Sequence, residues 1–461
     1  MSRRLAIIGL DCAEPSLVFG PWWPRLPHLA ALMERGRWGR LASCHPPITV
    51  PAWACMASGL DPGQLGLYGF HNRAGHHYGE LALASGAGLQ APCLWDLAGA
   101  AGLTSVVLGV PLTYPPRPIK GALVAGFPAP ARAALTWPRS LGPLLERWAG
   151  GPYLPDIEDF RHLKPADLLA QAETMARRRF AVAQGLYRQY GPEAFMLVEI
   201  APDRVQHALW DESDPGQEAI ARHYELLDGL VGDFLAGLEP GTLVLVVSDH
   251  GCQRRQGNLA VNEWLISQGY LRLKARPPAP APLQAEMVDW PATRAWSEGG
   301  YLARIYLNIE GREPQGVVPP DQVPALKAEI TARLEAMPGP GGAPLGNQVL
   351  DPLAIYRQTR GCPPDLMLYP GGLAWRASGQ VRPGEGAGFF LAHNDTGPDQ
   401  ANHAPQGIVI AGLAGGGTLA QAGQEVVGAS LYDVLPSALA WLGIQDLDRE
   451  AGPGRAWRWL C

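Results

Sequence analysis

Seven side chains of the kinds that hold dications lie beside turns or at the ends of strand-like runs. Asp11 closes LAIIGLD, Thr49 sits in PPITVPAW, and Asp203 and His207 lie in PDRVQH. Asp249 and His250 follow LVLVVS, and His403 lies in ANHAPQG. Carboxylates and neutral imidazoles are what a pair of zinc-like ions takes as ligands. A hydroxyl among them is a nucleophile that a cation can activate. If the seven groups converge, the chemistry is two-metal hydrolysis of a phosphorus ester.

The seven groups differ in how much each says by itself. Asp249-His250-Gly251 ends an apolar strand with two different ligands at a sharp turn, which Gly251 eases. Asp203 and His207 are one helical turn apart and so face the same way. Thr49 precedes a helix-like AWACMASGL, where helix capping is its usual role. The same place aims backbone N–H groups at an incoming phosphate. Asp11 and His403 carry little signal alone.

Positioning falls to short apolar runs. LAIIGL (5–10), TSVVLGV (104–110), AFMLVEI (194–200), TLVLVVS (242–248) and GIVIAGL (407–413) read as buried strands. Their near-continuous apolar character suits a parallel sheet covered on both faces. Helices are predicted over 167–190, 218–238 and 429–444. Alternation of the two gives an α/β layered fold. Asp11, Asp203 and Asp249 each follow a strand, where open α/β sheets place their sites.

Pro/Ala-rich 272–284 and Gly/Pro-rich 337–346 interrupt the pattern. The expected organisation is a core over 1–284, an inserted cap subdomain over 285–395 that covers the site, and a core segment over 396–461 carrying His403. His76-His77 is expected to lie exposed in a polar turn, and His28, His162 and the 15 tryptophans read as structural.

The chain has 461 residues, 47% hydrophobic and 17% charged, an ordinary globular composition. A net charge of -6 without a basic tract disfavours a nucleic-acid polymer as partner. Seven scattered cysteines without CxxC read as reduced thiols in a cytoplasmic protein. MSRRLAIIGLD is too short in its apolar run for a signal-peptide core. No segment approaches the ~18 apolar residues of a membrane span.

The ordered set Asp11, PPITVPAW…SGLDPGQLGLYGF, EIAPDRVQH, VVSDHG and NHAPQG resembles the type I phosphodiesterase/nucleotide pyrophosphatase branch of the alkaline phosphatase superfamily. VNEWLISQGYL and IYLNIEGREPQGVV add to the likeness, which covers nearly the whole chain. The resemblance implies an alkaline-phosphatase-like three-layer sandwich with a central, mostly parallel sheet. It implies two divalent ions, zinc with manganese as the alternative. Asp203, His207 and His403 would hold one; Asp11, Asp249, His250 and the Thr49 oxygen would hold the other. Thr49 would be the nucleophile, passing through phosphothreonine, and the substrate a small-molecule phosphate ester.

There is one departure. Nucleotide pyrophosphatases of this family carry an asparagine after the nucleophile helix that contacts a non-bridging phosphate oxygen. Here the count reaches Phe70, with His71, Asn72 and Arg73 beside it as substitutes for substrate binding. The same metal core also serves phosphomonoesterases and phosphonate or sulfate ester hydrolases, because specificity lies in the pocket. A cofactor-independent phosphoglycerate-mutase-like phosphotransferase is the alternative of another class, although those enzymes use serine and a differently placed insertion.

Overall fold

The computed structural model describes residues 3–130, 133–211, 216–384, 386, 388–393, 397–445 and 450–460. The chain divides into two compact units. The first comprises Met1–Leu65, Ala84–Cys252 and His403–Cys461; the second comprises Gly66–Leu83 and Gln253–Asn402.

The first unit is built on a ten-stranded sheet. From one edge it runs Gln424–Glu425, Arg37–Ala42, Gln406–Leu413, Leu243–Val247, Leu5–Leu10, Ala194–Glu199, Ser105–Leu108, Gly121–Val124 and Thr136–Trp137. Ala429–Ser430 also pairs with Arg37–Ala42. The central pairings are parallel. Every residue of Leu5–Leu10, Ala194–Glu199 and Leu243–Val247 is buried, which is why these strands read as unbroken apolar runs. Helices Pro165–Tyr190 and Gly216–Ala236 lie where the sequence predicts them, the first starting two residues early and the second shifted by two residues at both ends. The last predicted helix is shorter: a 3₁₀ turn at Leu431–Asp433 leads into Val434–Leu442.

One strand departs from the parallel expectation. Gln406–Leu413 runs antiparallel to both of its neighbours, Leu243–Val247 and Arg37–Ala42. Hydrophobicity reports burial on two faces but not strand direction, so its sequence could not distinguish the cases.

The second unit has a four-stranded antiparallel sheet in the order Ala295–Glu298, Ala303–Leu307, Leu366–Tyr369, Gln348–Leu350, with helix Val323–Glu335 alongside. It is wider than the insertion expected over 285–395. Leu259, Val261, Trp264, Leu265, Tyr270 and Leu271 pack into one apolar core with Trp296, Ile305, Tyr306 and Leu366. Tyr78 of the hairpin His71–Arg73/Leu81–Leu83 packs against that same core. Contacts assign 253–284, 397–402 and 66–83 to this unit, and the Pro/Ala-rich stretch 272–284 lies within it rather than joining two bodies.

Candidate active site

The register of three parallel strands sets the site. Gly9 pairs with both Val198 and Val247, so the carboxyl ends of these strands lie level. Asp11 leaves the first strand. Glu199 ends the second, and its Oε1 accepts from the N–H of Ala201 at 2.9 Å, turning the chain into helix Ala201–Leu209. That helix carries Asp203 and His207. Asp249 and His250 leave the third strand. Thr49 is the first residue of helix Thr49–Ser58, which is buried throughout. It does not cap that helix, because Ile48 occupies the cap position and no side-chain cap bond forms there.

All seven sequence-selected groups meet within the first unit, each fully or almost fully buried. Asp203, His250 and His403 offer ligand atoms within 4.8 Å of one another, and so do Asp11, Asp249 and His250. His207 Nε2 lies 3.1 Å from His403 Nε2 and 3.2 Å from Asp203 Oδ1. His250 Nε2 lies 3.2 Å from Asp249 Oδ2, 3.7 Å from Asp11 Oδ1 and 3.3 Å from Thr49 Oγ1.

The protonation pattern turns several acceptor atoms toward one another. His403 Nδ1 lies 2.7 Å from the Pro47 carbonyl and His250 Nδ1 lies 3.1 Å from the Gly251 carbonyl. A carbonyl only accepts, so both Nδ1 atoms carry the hydrogen and both Nε2 atoms present lone pairs to the cluster. Burial drops His403 to about 4 and holds His250 well below its ordinary value, so both rings stay neutral. Facing them, Asp11 Oδ1, Asp203 Oδ1 and Asp249 Oδ2 are buried without an aligned donor among the described residues. Acceptors facing acceptors is costly unless a cation lies between them. Burial, reinforced by Asp203, pushes Asp11 well above the usual carboxylate range; burial, reinforced by Asp11, does the same to Asp249. Burial would raise Asp203 too, yet His207 and Arg204 hold it well below that range.

Sequence reading missed the residues that orient these groups. Trp53 Nε1 donates to Asp11 Oδ2 at 2.7 Å. It stands one helical turn after Thr49, which is the one signal that could have found it. Its ring lies over Gly9, where a Cβ would come within 2.3 Å of it. Arg204 donates to Asp203 Oδ2 and makes a two-pronged pair with Asp156 at 2.9 Å, its guanidinium within 5.0 Å of the Phe127 and Phe160 rings. Gln206 donates to the Cys12 carbonyl at 2.6 Å, and Cys12 N–H donates to Asp249 Oδ1 at 3.3 Å. Cys12 itself is left-handed (φ 66), a non-glycine strain of the kind that clusters at functional loops. Ser248 Oγ accepts from Ala13 N–H at 2.8 Å and donates to the His250 carbonyl.

His71, Asn72 and Arg73 belong to the second unit. Asn72 closes a turn, accepting from Tyr68 N–H at 2.7 Å and donating to the Gly69 carbonyl at 3.2 Å. Arg73 is buried, paired with Glu313 at 3.1 Å and set against the Trp296 and Tyr306 rings. His71 is exposed. The six described cysteines carry free thiols. Among the described residues, no helix is long and apolar enough to cross a membrane.

A broad, mostly parallel sheet wrapped by helices, with acids and imidazoles gathered at its strand ends, is an alkaline-phosphatase-like α/β architecture. The type I phosphodiesterase/nucleotide pyrophosphatase family model matches residues 5–376, and the chain belongs to that family. By family it is a phosphoester hydrolase. Among solved structures, phosphonoacetate hydrolase from Sinorhizobium meliloti, in complex with phosphonoformate, shares 19% identity at a TM-score of 0.60, covering 96% of each chain. Human ectonucleotide pyrophosphatase/phosphodiesterase 5 shares 13% identity at a TM-score of 0.58, covering 98% of this chain and 97% of its own. An inactive threonine-to-alanine variant of the murine protein, in complex with AMP, shares 14% at 0.58, covering 97% of each. No curated protein sequence matches the chain.

Proposed function

We propose that this chain is a two-metal-dependent phosphodiesterase of the nucleotide pyrophosphatase type that uses Thr49 as its nucleophile. The carrying observation is the buried cluster itself: three carboxylates and three imidazoles converge beside one hydroxyl. Asp203, His207 and His403 would hold one divalent ion; Asp11, Asp249, His250 and Thr49 Oγ1 would hold the other. Zinc suits this oxygen–nitrogen set, with manganese as the alternative. Bound there, the cations would offset the carboxylate charge, lower the pKa of the Thr49 hydroxyl and stabilise the leaving oxygen.

The chain's own residues do the rest. Helix Thr49–Ser58 fixes the hydroxyl, and the N–H groups of Thr49 and Val50 at its start would receive equatorial phosphate oxygens. Thr49 Oγ1 forms a bond to phosphorus as the bond to the leaving alkoxide breaks, giving phosphothreonine. Water then cleaves that ester and restores the hydroxyl. Trp53, Arg204 and the Nδ1 partners of His250 and His403 hold the ligands' lone pairs in place, as outer-shell partners do elsewhere.

Thr49→Ala tests the reading. Turnover of bis-p-nitrophenyl phosphate should disappear while metal content by elemental analysis stays near two ions. Near wild-type turnover in that variant would remove Thr49 from its role.

A further inference from the structure

Glu14 is buried three residues past Asp11 and lies outside the set of seven ligands. Both of its carboxylate oxygens accept from backbone. Oε1 takes the Ser16 N–H at 2.9 Å, the cap bond of the short helix Pro15–Val18. Oε2 reaches across to the turn that carries Asp249 and His250, where it takes the Cys252 N–H at 3.1 Å. Capping alone is served by shorter side chains such as serine or aspartate, so the length of a glutamate goes into the second bond. The turn admits the carboxylate only because residue 251 is glycine. A Cβ there would stand 2.5 Å from Glu14 Oε2 and 2.2 Å from the Gln406 carbonyl oxygen.

The Cys252 N–H and the Gly251 carbonyl are the two ends of one peptide group. The carbonyl end accepts from His250 Nδ1 at 3.1 Å and from Cys12 Sγ at 3.4 Å. A peptide group is planar, so one end cannot turn without the other. Holding the N–H therefore fixes the direction of the carbonyl, and the carbonyl fixes the His250 ring. A carboxylate on the N–H also draws electron density toward the carbonyl oxygen, because hydrogen bonds in a chain polarise one another. A stronger pull on Nδ1–H makes Nε2 the better ligand, as a partner in direct contact with a metal-binding histidine does. That Nε2 lies 3.3 Å from Thr49 Oγ1 and 3.2 Å from Asp249 Oδ2.

We propose that Glu14 is a positioning residue for the reaction. Through the Gly251–Cys252 peptide it orients the His250 ring and strengthens Nε2 as a ligand for the cation beside Thr49. The inference rests on the two-metal reading of the cluster, and it gives Glu14 no contact with substrate.

Two substitutions separate the two bonds. Glu14→Ser keeps a good cap for the helix and is too short to reach Cys252. Glu14→Gln keeps the reach and loses the negative charge. Zinc is titrated into the metal-free full chain against a chromogenic chelator, with thermal melts of the metal-free proteins alongside. Glu14→Ser should weaken one of the two zinc-binding steps about tenfold or more, as loss of an outer-shell partner does, and leave the other within about twofold. Glu14→Gln should give a smaller loss at the same step. Turnover of bis-p-nitrophenyl phosphate by Glu14→Ser should fall at limiting zinc and recover in excess zinc, with KM unchanged. Equal zinc affinities in wild type and Glu14→Ser overturn the proposal. A loss shared by both steps, with a matching fall in the metal-free melting temperature, marks a purely structural role and overturns it too. If Glu14→Ser does not fold, Glu14→Gln decides by the same two criteria. A wild-type chain that takes up no zinc overturns the two-metal reading, and this inference with it.

Discussion

Trp53→Phe isolates one hydrogen bond at the edge of the cluster. Phenylalanine keeps an aromatic ring at this helix position, without the outer indole atoms that lie over Gly9, and removes the indole N–H that reaches Asp11 Oδ2 at 2.7 Å. Against an ionised carboxylate such a bond is worth about 1.5–3 kcal/mol; against a neutral acid it is worth about 0.5–1.5 kcal/mol. Without metal, burial pushes Asp11 well above the usual carboxylate range, so its acid form persists to higher pH. Cation binding requires the ionised form. The substitution should therefore cost the metal-bound state about 1–1.5 kcal/mol more than the metal-free state, roughly a tenfold loss of metal affinity. Competition titration of zinc against a chromogenic chelator measures that loss, and thermal melts of the metal-free proteins give the structural part separately. One of the two binding steps should weaken about tenfold, over and above the loss of stability that the smaller ring brings to loaded and metal-free protein alike. Unchanged zinc affinity would refute the reasoning, and so would a metal-free protein destabilised as much as the loaded one.

Exhaustive chelation should abolish hydrolysis, with zinc or manganese restoring it; activity that survives chelation would exclude a metal-dependent reaction. Bis-p-nitrophenyl phosphate should be turned over with a higher kcat/KM than p-nitrophenyl phosphate, and the reverse order would favour a monoesterase. Gly9→Ala should destabilise by about 1–3 kcal/mol in urea unfolding, because its Cβ would sit 2.3 Å from the Trp53 ring and 2.8 Å from Val198. Burial lowers His223 from 6.5 to about 4, so the unfolded chain takes up a proton near pH 6.5 that the folded protein refuses until about 4. Stability should therefore fall as pH drops across that window, by up to about 3 kcal/mol. His223→Gln should flatten the wild-type slope between pH 7 and 4, and an unchanged slope would contradict the shift.

The sequence showed five strands of the first unit because each is apolar along nearly its whole length; Arg37–Ala42, with two arginines, and the shorter strands of the sheet were not predicted. The acids and histidines beside them were legible because ligand-type residues recur next to several such runs in one chain. Their roles were not, since Asp11 or His403 alone resembles any strand-end acid or core imidazole. Trp53 and Arg204 escaped notice because tryptophan in an apolar helix, or arginine on a helix, needs no special explanation. Only the 2.7 Å contact to Asp11 and the pair with Asp203 give these two residues a function. The extent of the second unit was hidden for another reason. Hairpin 66–83 and helix Val261–Ser267 carry no compositional mark of the body they pack into, because shared burial is a property of contacts between distant segments.

By itself the chain determined an α/β layering, the sites where strands end, and the kinds of ligand available there, because periodicity and residue chemistry are local. Tertiary structure decided what lies far apart in sequence. It levelled three strand ends through the pairing of Gly9 with Val198 and Val247, reversed the strand Gln406–Leu413, and fixed which imidazole nitrogen keeps its lone pair. Register and hydrogen-bond partnership are relations between segments, and no run of residues encodes its partner's position.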